Sequence, residues 1–210
     1  MNKAPVSGKI LKRVLSYDWW KYVCFILGIP LVSYYCSYFK NRIKPEEEIQ
    51  IFFMSNLKEN STFKDDIYEN LKEKVVGVTY YKPIDDDSTF NDVLINQGYG
   101  NSDLLILKSD AIKDSNLQYI VKLDQALKDR FLSIKPNCEF YEKNDSVYGI
   151  KIMDQSNDTY NSTIFNDYFE KDNSYYILFS KESHNIGTYG KNSSHDEAFE
   201  VVDFLLGNNG

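Results

Sequence analysis

Apolar residues fall along this chain in three patterns, and each predicts a different element. The first is an uncharged run from Tyr22 to Phe39. At about 1.5 Å per residue a helix over that run is about 27 Å long, close to the hydrocarbon thickness of a bilayer. Tyr17, Trp19 and Trp20 precede it and Tyr34, Tyr35 and Tyr38 close it, as interfacial belts require of rings with a polar edge. Tyr22, Phe25, Ile26, Leu27, Ile29, Leu31 and Val32 are therefore expected to form a membrane anchor. A cleaved signal peptide is the rival, but the three tyrosines occupy the cleavage region. Tyr35 likewise stands where a lipidated Cys36 would need a small residue.

The second pattern is a set of short apolar, β-rich runs. Ile49 to Phe53 reads IQIFF, Val75 to Tyr80 VVGVTY, Leu104 to Leu107 LLIL, Val147 to Met153 VYGIKIM and Tyr175 to Phe179 YYILF. These are five expected strands; the fourth alternates Ile150 and Ile152 with Lys151 and so is expected half exposed. The third pattern has helical spacing. Phe63, Ile67, Leu71 and Val75 recur every four residues behind a Thr62/Asp65 capping signature. A short helix carries Phe90, Val93 and Leu94 behind Thr89 and Asp92 and closes near Gly98. Ser109 is expected to cap a turn of helix, and Leu123, Leu127 and Phe131 fit another helix before Pro136. Ala198, Val201, Val202, Leu205 and Leu206 fit a last helix, capped by Ser194 with Glu197 and ended by Gly207.

Strand and helix alternate over short connections, the pattern of an α/β domain with a parallel sheet. The fold class expected is α/β: one N-terminal transmembrane helix followed by a single three-layer α/β lobe of about five mixed, mainly parallel strands. Residues 1–21 form a cytoplasmic basic stub, 22–39 the transmembrane helix, 40–48 a linker and 49–210 an extracytoplasmic domain. The asymmetry of charge supports that division. Residues 1–44 carry eight Lys and Arg against one Asp, net +7, and the rest carry sixteen against thirty, net −14. The basic side is expected to stay inside the cell. An acidic domain of this size excludes nucleic acid as a partner, since phosphates repel it, and is long enough for one core.

Chemistry is sparse. Cys24 and Cys36 lie in the apolar run and leave Cys138 alone outside it, so no disulfide can form within the domain. His184 and His195 lack the spacing of zinc ligands. Asp85 to Asp87 are consecutive where a calcium loop alternates its ligands, and Asp154 to Phe165 lacks the loop's central Gly and final Glu. Ser183 beside His184 has no G-x-S-x-G elbow, and there is no P-loop and no G-x-G-x-x-G. No metal, no cofactor and no enzyme activity are expected.

Four segments carry a resemblance: SDLLILKSDAI at Ser102, KLDQAL at Lys122, VYGIKI at Val147 and YYILFSKESHNIG at Tyr175. Together they resemble the first lobe of bacterial extracellular solute-binding proteins of ABC importers. That family has a D-x-x-x-L strand, a helix, an L-x-x-L-D segment, a Y-G-I/L-P strand and an apolar strand ending in polar residues. Lys151 stands where the family usually has Pro, and the chain turns into its last helix without residues for a second lobe. The resemblance implies one lobe on a membrane stalk, taking a small polar solute such as a sugar, or docking on an ABC transporter permease or another envelope protein. In open α/β sheets ligands bind beyond the carboxyl ends of the strands, which selects Ser55, Asn56, Tyr81, Ser109 and Asp110 as candidate contacts. Tyr148 adds a ring for a sugar to stack on. The alternative is a structural or interaction scaffold of the cell envelope that binds no ligand.

Overall fold

The computed structural model describes residues 8–54, 61–71, 75–80, 90–154, 168, 174–191 and 194–207, and the chain divides into two units, Met1–Ile43 and Lys44–Gly210. Among its described residues the first unit holds one helix, α1 (Gly8–Asn41). Within it Trp19–Asn41, 23 residues long, contains an 18-residue window of mean hydropathy 1.5, none of it buried. At about 1.5 Å per residue it is about 34 Å long, enough to cross a membrane. Every anchor side chain expected from the sequence is exposed, Phe25 and Ile26 most of all. Pro30 lies inside the helix, where it removes one backbone hydrogen bond.

The second unit is mixed α/β around one sheet. Its elements are β1 (Glu48–Phe53), α2 (Phe63–Leu71), β2 (Val75–Tyr80), α3 (Phe90–Val93, continued by a π turn over Leu94–Tyr99), β3 (Leu104–Lys108), α4 (Gln125–Ile134), β4 (Phe140–Lys143), β5 (Ser146–Met153), β6 (Tyr175–Phe179) and α5 (Ala198–Leu205). The six strands lie in the order β2-β1-β3-β6-β5-β4. β1 pairs in parallel with β2 and β3, whereas β6, β5 and β4 follow in antiparallel pairings.

Two expectations are corrected here. Among the described residues the sheet has six strands, not about five, and it is not mainly parallel. The strand missed in the sequence, β4, is a partly exposed FYEK edge with no apolar run to betray it. It is joined to β5 by Asn144 and Asp145, both with positive φ (50° and 56°), the backbone that a tight hairpin needs and that Asn and Asp tolerate.

Alternation along β1 sorts the core. Ile49, Ile51 and Phe53 point to one face, where Phe63, Ile67 and Leu71 of α2, Leu127 and Phe131 of α4, and Ala198, Val201, Val202 and Leu205 of α5 join them. Phe52 points to the other, with Leu94, Tyr99, Leu105, Leu107, Leu117 and Leu178. Burying each such side chain contributes about 1.5–3 kcal/mol, and four of the six β1 side chains are fully buried. β5 is correspondingly a buried strand, with only Ser146 and Lys151 partly exposed, because residues of both its faces are covered.

Two helix boundaries and one capping contact also differ. Val75 opens β2 instead of closing α2. Thr62 donates its hydroxyl to Asp66 Oδ2 at 2.7 Å, because Asp65 is too short to complete a capping box in the way Glu does. The N-cap of α5 is Glu197 and not Ser194, since the Ala198 amide donates to the Asn185 carbonyl at 3.0 Å and a tertiary contact replaces the local cap. α4 is capped as its type predicts, with Asp124 Oδ1 accepting from the Leu127 amide at 2.9 Å.

Candidate functional site

Strand order 2-1-3 at one side of the sheet means that the connection after β1 leaves in one direction and the connection into β3 arrives from the other. The carboxyl ends of β1 and β3 therefore flank a topological switch point, where open α/β sheets bind ligands. Met54 follows β1 and is held to β3 by its amide, which donates to the Ile106 carbonyl at 3.0 Å. Ser109 and Asp110 begin the 3-10 turn directly after β3 and are exposed. Ser55, Asn56 and Tyr81 lie outside the described residues.

Because β6 runs against β3, its first residues reach this same edge together with the end of β5. The Ser109 amide donates to the Ser174 carbonyl at 3.1 Å, and the Ser174 hydroxyl donates to Asp154 Oδ1 at 3.4 Å. Asp154 also pairs with Lys151, whose ammonium donates to Glu139 Oε2 at 2.9 Å. Burial would by itself depress the Lys151 ammonium, but the hydrogen bonds to Asp154 and Glu139 outweigh it and hold its pKa above the ordinary lysine value. Lys151 is thus a fixed cation and not a general base near neutrality. The edge joins Ser109 and Asp110 to this ionic set, which the sequence did not single out.

Tyr148 is placed elsewhere. It is 6 % exposed among the apolar residues of the second face, with the Lys122 ammonium 5.8 Å from its ring centroid, so its faces are occupied by the protein itself.

The opposite edge carries a second polar constellation. Asp103, immediately before β3, is 4 % exposed and accepts four hydrogen bonds. Oδ2 takes the Gln50 amide at 2.8 Å and the Asn185 side-chain amide at 3.1 Å, and Oδ1 takes the Ser183 hydroxyl at 2.6 Å and the His184 amide at 3.1 Å. Asn185 Nδ2 also donates to the carbonyls of Pro45 and Glu48. Burial pushes the Asp103 carboxyl up, and the four donors oppose it without cancelling it. Ser183 donates to a carboxylate and accepts from the Asn185 amide at 3.0 Å, while His184 enters only through its backbone. The group ties the start of β1 to the start of β3 and the segment after β6. Its local sequence signal was a polar residue abutting each apolar run, and pairing across about eighty residues cannot be read from that.

Among the described residues no three His, Cys, Asp or Glu side chains converge as metal ligands. Cys138 is buried, and burial pushes its thiol up to about 11, which keeps it protonated and unreactive at neutral pH. No protein family matches the chain, and neither a curated protein nor a solved structure is significantly similar to it.

Proposed function

We propose that the chain is a single-pass membrane protein whose basic N-terminus stays in the cytoplasm and whose acidic α/β domain lies outside the cell. There the domain works as one three-layer, solute-binding-protein-like lobe that takes a small polar solute at the carboxyl edge of β1 and β3. The observation that carries this reading is the switch point: strand order β2-β1-β3 with Ser109 and Asp110 exposed directly after β3. A single lobe buries less of a ligand than a closing pair, so binding is weak. Tethering compensates by raising the local concentration near a neighbouring protein of the same membrane, and an ABC transporter permease is the partner that the resemblance implies.

Thermal melts of the full chain in detergent micelles, followed by circular dichroism, test this against sugars, amino acids and short peptides. A ligand at a hundred times its dissociation constant adds about 2.7 kcal/mol, a shift of about 5–10 °C for a chain of this size. The shift is expected to vanish in Asp110→Ala and weaken in Ser109→Ala. No shift from any member of the panel overturns the reading.

One observation favours a second reading, an envelope interaction scaffold. The polar groups of Lys151, Asp154 and Glu139 at that edge are already paired within the protein. On that reading the panel is silent, and photo-crosslinkers at exposed positions 110 and 113 give one fixed adduct in intact cells.

A further inference from the structure

The carboxyl end of α1 carries chemistry that crossing a bilayer does not require. Orientation by charge needs cations on one flank of the apolar run, yet Lys40, Arg42 and Lys44 stand on the other. Lys44 pairs with Glu47 at 3.8 Å. Arg42 is exposed and instead borders a groove of about 310 Å³ along the helix surface, lined also by Tyr34, Ser37, Tyr38 and Asn41. These positions share one side of α1 because residues three and four apart are neighbours on a helix.

The wall of the groove changes character along its length. Tyr34 and Tyr38 stack with centroids 6.5 Å apart, and both rings are more than half exposed. One turn further, Asn41 Nδ2 donates back to the Ser37 hydroxyl at 3.3 Å, and the Arg42 guanidinium follows. At about 1.5 Å per residue the groove runs about 12 Å from Tyr34 to Arg42. The headgroup layer of one leaflet is only about 5–8 Å deep. Where α1 crosses a bilayer, the groove therefore begins at the hydrocarbon edge and ends among the headgroups.

That order of surfaces selects an amphiphile. Tyrosine rings take the C–H groups of a glycerol and an upper acyl chain, and a guanidinium fork takes two oxygens of a phosphate. No carboxylate is among the lining residues, so a zwitterionic headgroup would bring its own cation beside Arg42 with nothing to offset it. The last four carbonyls of any helix lack partners within it and give headgroup hydroxyls their acceptors. We propose that this groove binds one anionic phospholipid with a hydroxylated headgroup, of the phosphatidylglycerol type, its phosphate on Arg42 and Asn41 and its glycerol and upper chain against Tyr34 and Tyr38. The proposal rests on α1 crossing the membrane and is independent of the solute at the carboxyl edge.

Native mass spectrometry of the full chain, released from detergent micelles containing equal amounts of dioleoyl phosphatidylglycerol and dioleoyl phosphatidylcholine, tests it. One phosphatidylglycerol is expected to stay bound in about fivefold preference, the equivalent of about 1 kcal/mol for one cation at an anionic lipid surface. Arg42→Gln is expected to abolish the preference, and the double variant Tyr34→Ala with Tyr38→Ala to reduce retention of both lipids. Lys40→Gln, outside the groove, is expected to leave both unchanged. Equal retention of the two lipids by the native chain overturns the proposal, as does a preference that survives Arg42→Gln. A preference lost equally in Lys40→Gln and Arg42→Gln also overturns it, because diffuse charge on the flank would then attract the lipid without a groove. Failure of the membrane reading has a separate signature: an impermeant maleimide would reach cysteines on both sides of α1 in intact cells, and that result removes the premise whatever lipid is retained.

Discussion

Asp103 illustrates how much one buried side chain can hold. It is the acceptor for donors from two segments, Gln50 of β1 and the run Ser183, His184 and Asn185 after β6, and replacing one oxygen by an amide sets a donor against donors. Ser183 can rotate to accept, but the His184 amide cannot, so Asp103→Asn is expected to cost about 1–3 kcal/mol near pH 4. The pH dependence has a definite sign. Burial raises the folded pKa of Asp103 above the ordinary carboxylate value near 3.8, so the native state binds this proton more tightly than the unfolded chain does. That contribution is fully present below the unfolded pKa and is lost as pH rises through the folded pKa. The deficit of Asp103→Asn relative to wild type should therefore shrink with rising pH. Urea titrations of both proteins at a series of pH values check this, and a gap that is constant or widens would show that the folded pKa is not raised.

At the scale of the element, β5 is fixed by a residue with no side chain. A Cβ at Gly149 would meet Leu178 Cδ2 at 2.4 Å and the Ile177 carbonyl oxygen at 2.7 Å, whereas one at Gly77 would meet only the flexible Gln50 side-chain amide. The β5–β6 pair runs through Gly149 and Leu178, and the carbonyl cannot swing aside without breaking that ladder. Gly149→Ala is expected to destabilise by about 1–3 kcal/mol and Gly77→Ala by a few tenths at most, as chemical denaturation would show; equal effects would mean that β5 and β6 are not packed this closely. The same strands show what was legible in the sequence. IQIFF, LLIL and YYILF announce themselves because strands covered on both faces are continuous apolar runs. FYEK does not, since an edge strand is partly wet, and its one signal was the Asn144-Asp145 pair suited to a two-residue hairpin. Direction was hidden too: β6 is antiparallel because of which neighbour it pairs with, and no local residue encodes that. Of the candidate contacts, Ser109 and Asp110 could be placed at a strand end from their position after LLIL. Tyr148 could not, because a tyrosine in an alternating strand has the same spelling whether its ring faces solvent or core. That Lys151, Asp154 and Glu139 form one set was not legible, because the contact of Lys151 with Glu139 depends on the β4–β5 register.

For the molecule as a whole the decisive quantity is the split of charge across α1. The uncharged run from Tyr22 to Phe39 separates a net +4 before it from a net −11 after it, and the cation-rich flank is the one that resists export. The proposed orientation therefore places position 12, ahead of the apolar stretch, inside the cell and position 145, in the exposed β4–β5 turn, outside. Both can be read by a membrane-impermeant maleimide in a chain whose native cysteines are replaced by Ala. Cys24 and Cys36 lie on the exposed surface of the apolar helix and Cys138 is buried, so removing the first two disturbs no packing within the described domain. Cys138→Ala leaves a small void worth about 1–2 kcal/mol by the usual cavity cost. In intact cells Asp145→Cys is expected to label at once, and Lys12→Cys only after permeabilisation. If the surface charges set orientation, moving basic residues from the first flank to the second should shift labelling toward Lys12→Cys. Labelling of Lys12→Cys in intact cells with Asp145→Cys protected would reverse the orientation, and with it the reading of the acidic domain as a receptor for anything outside the cell. Labelling of both in intact cells would mean that α1 does not cross the membrane.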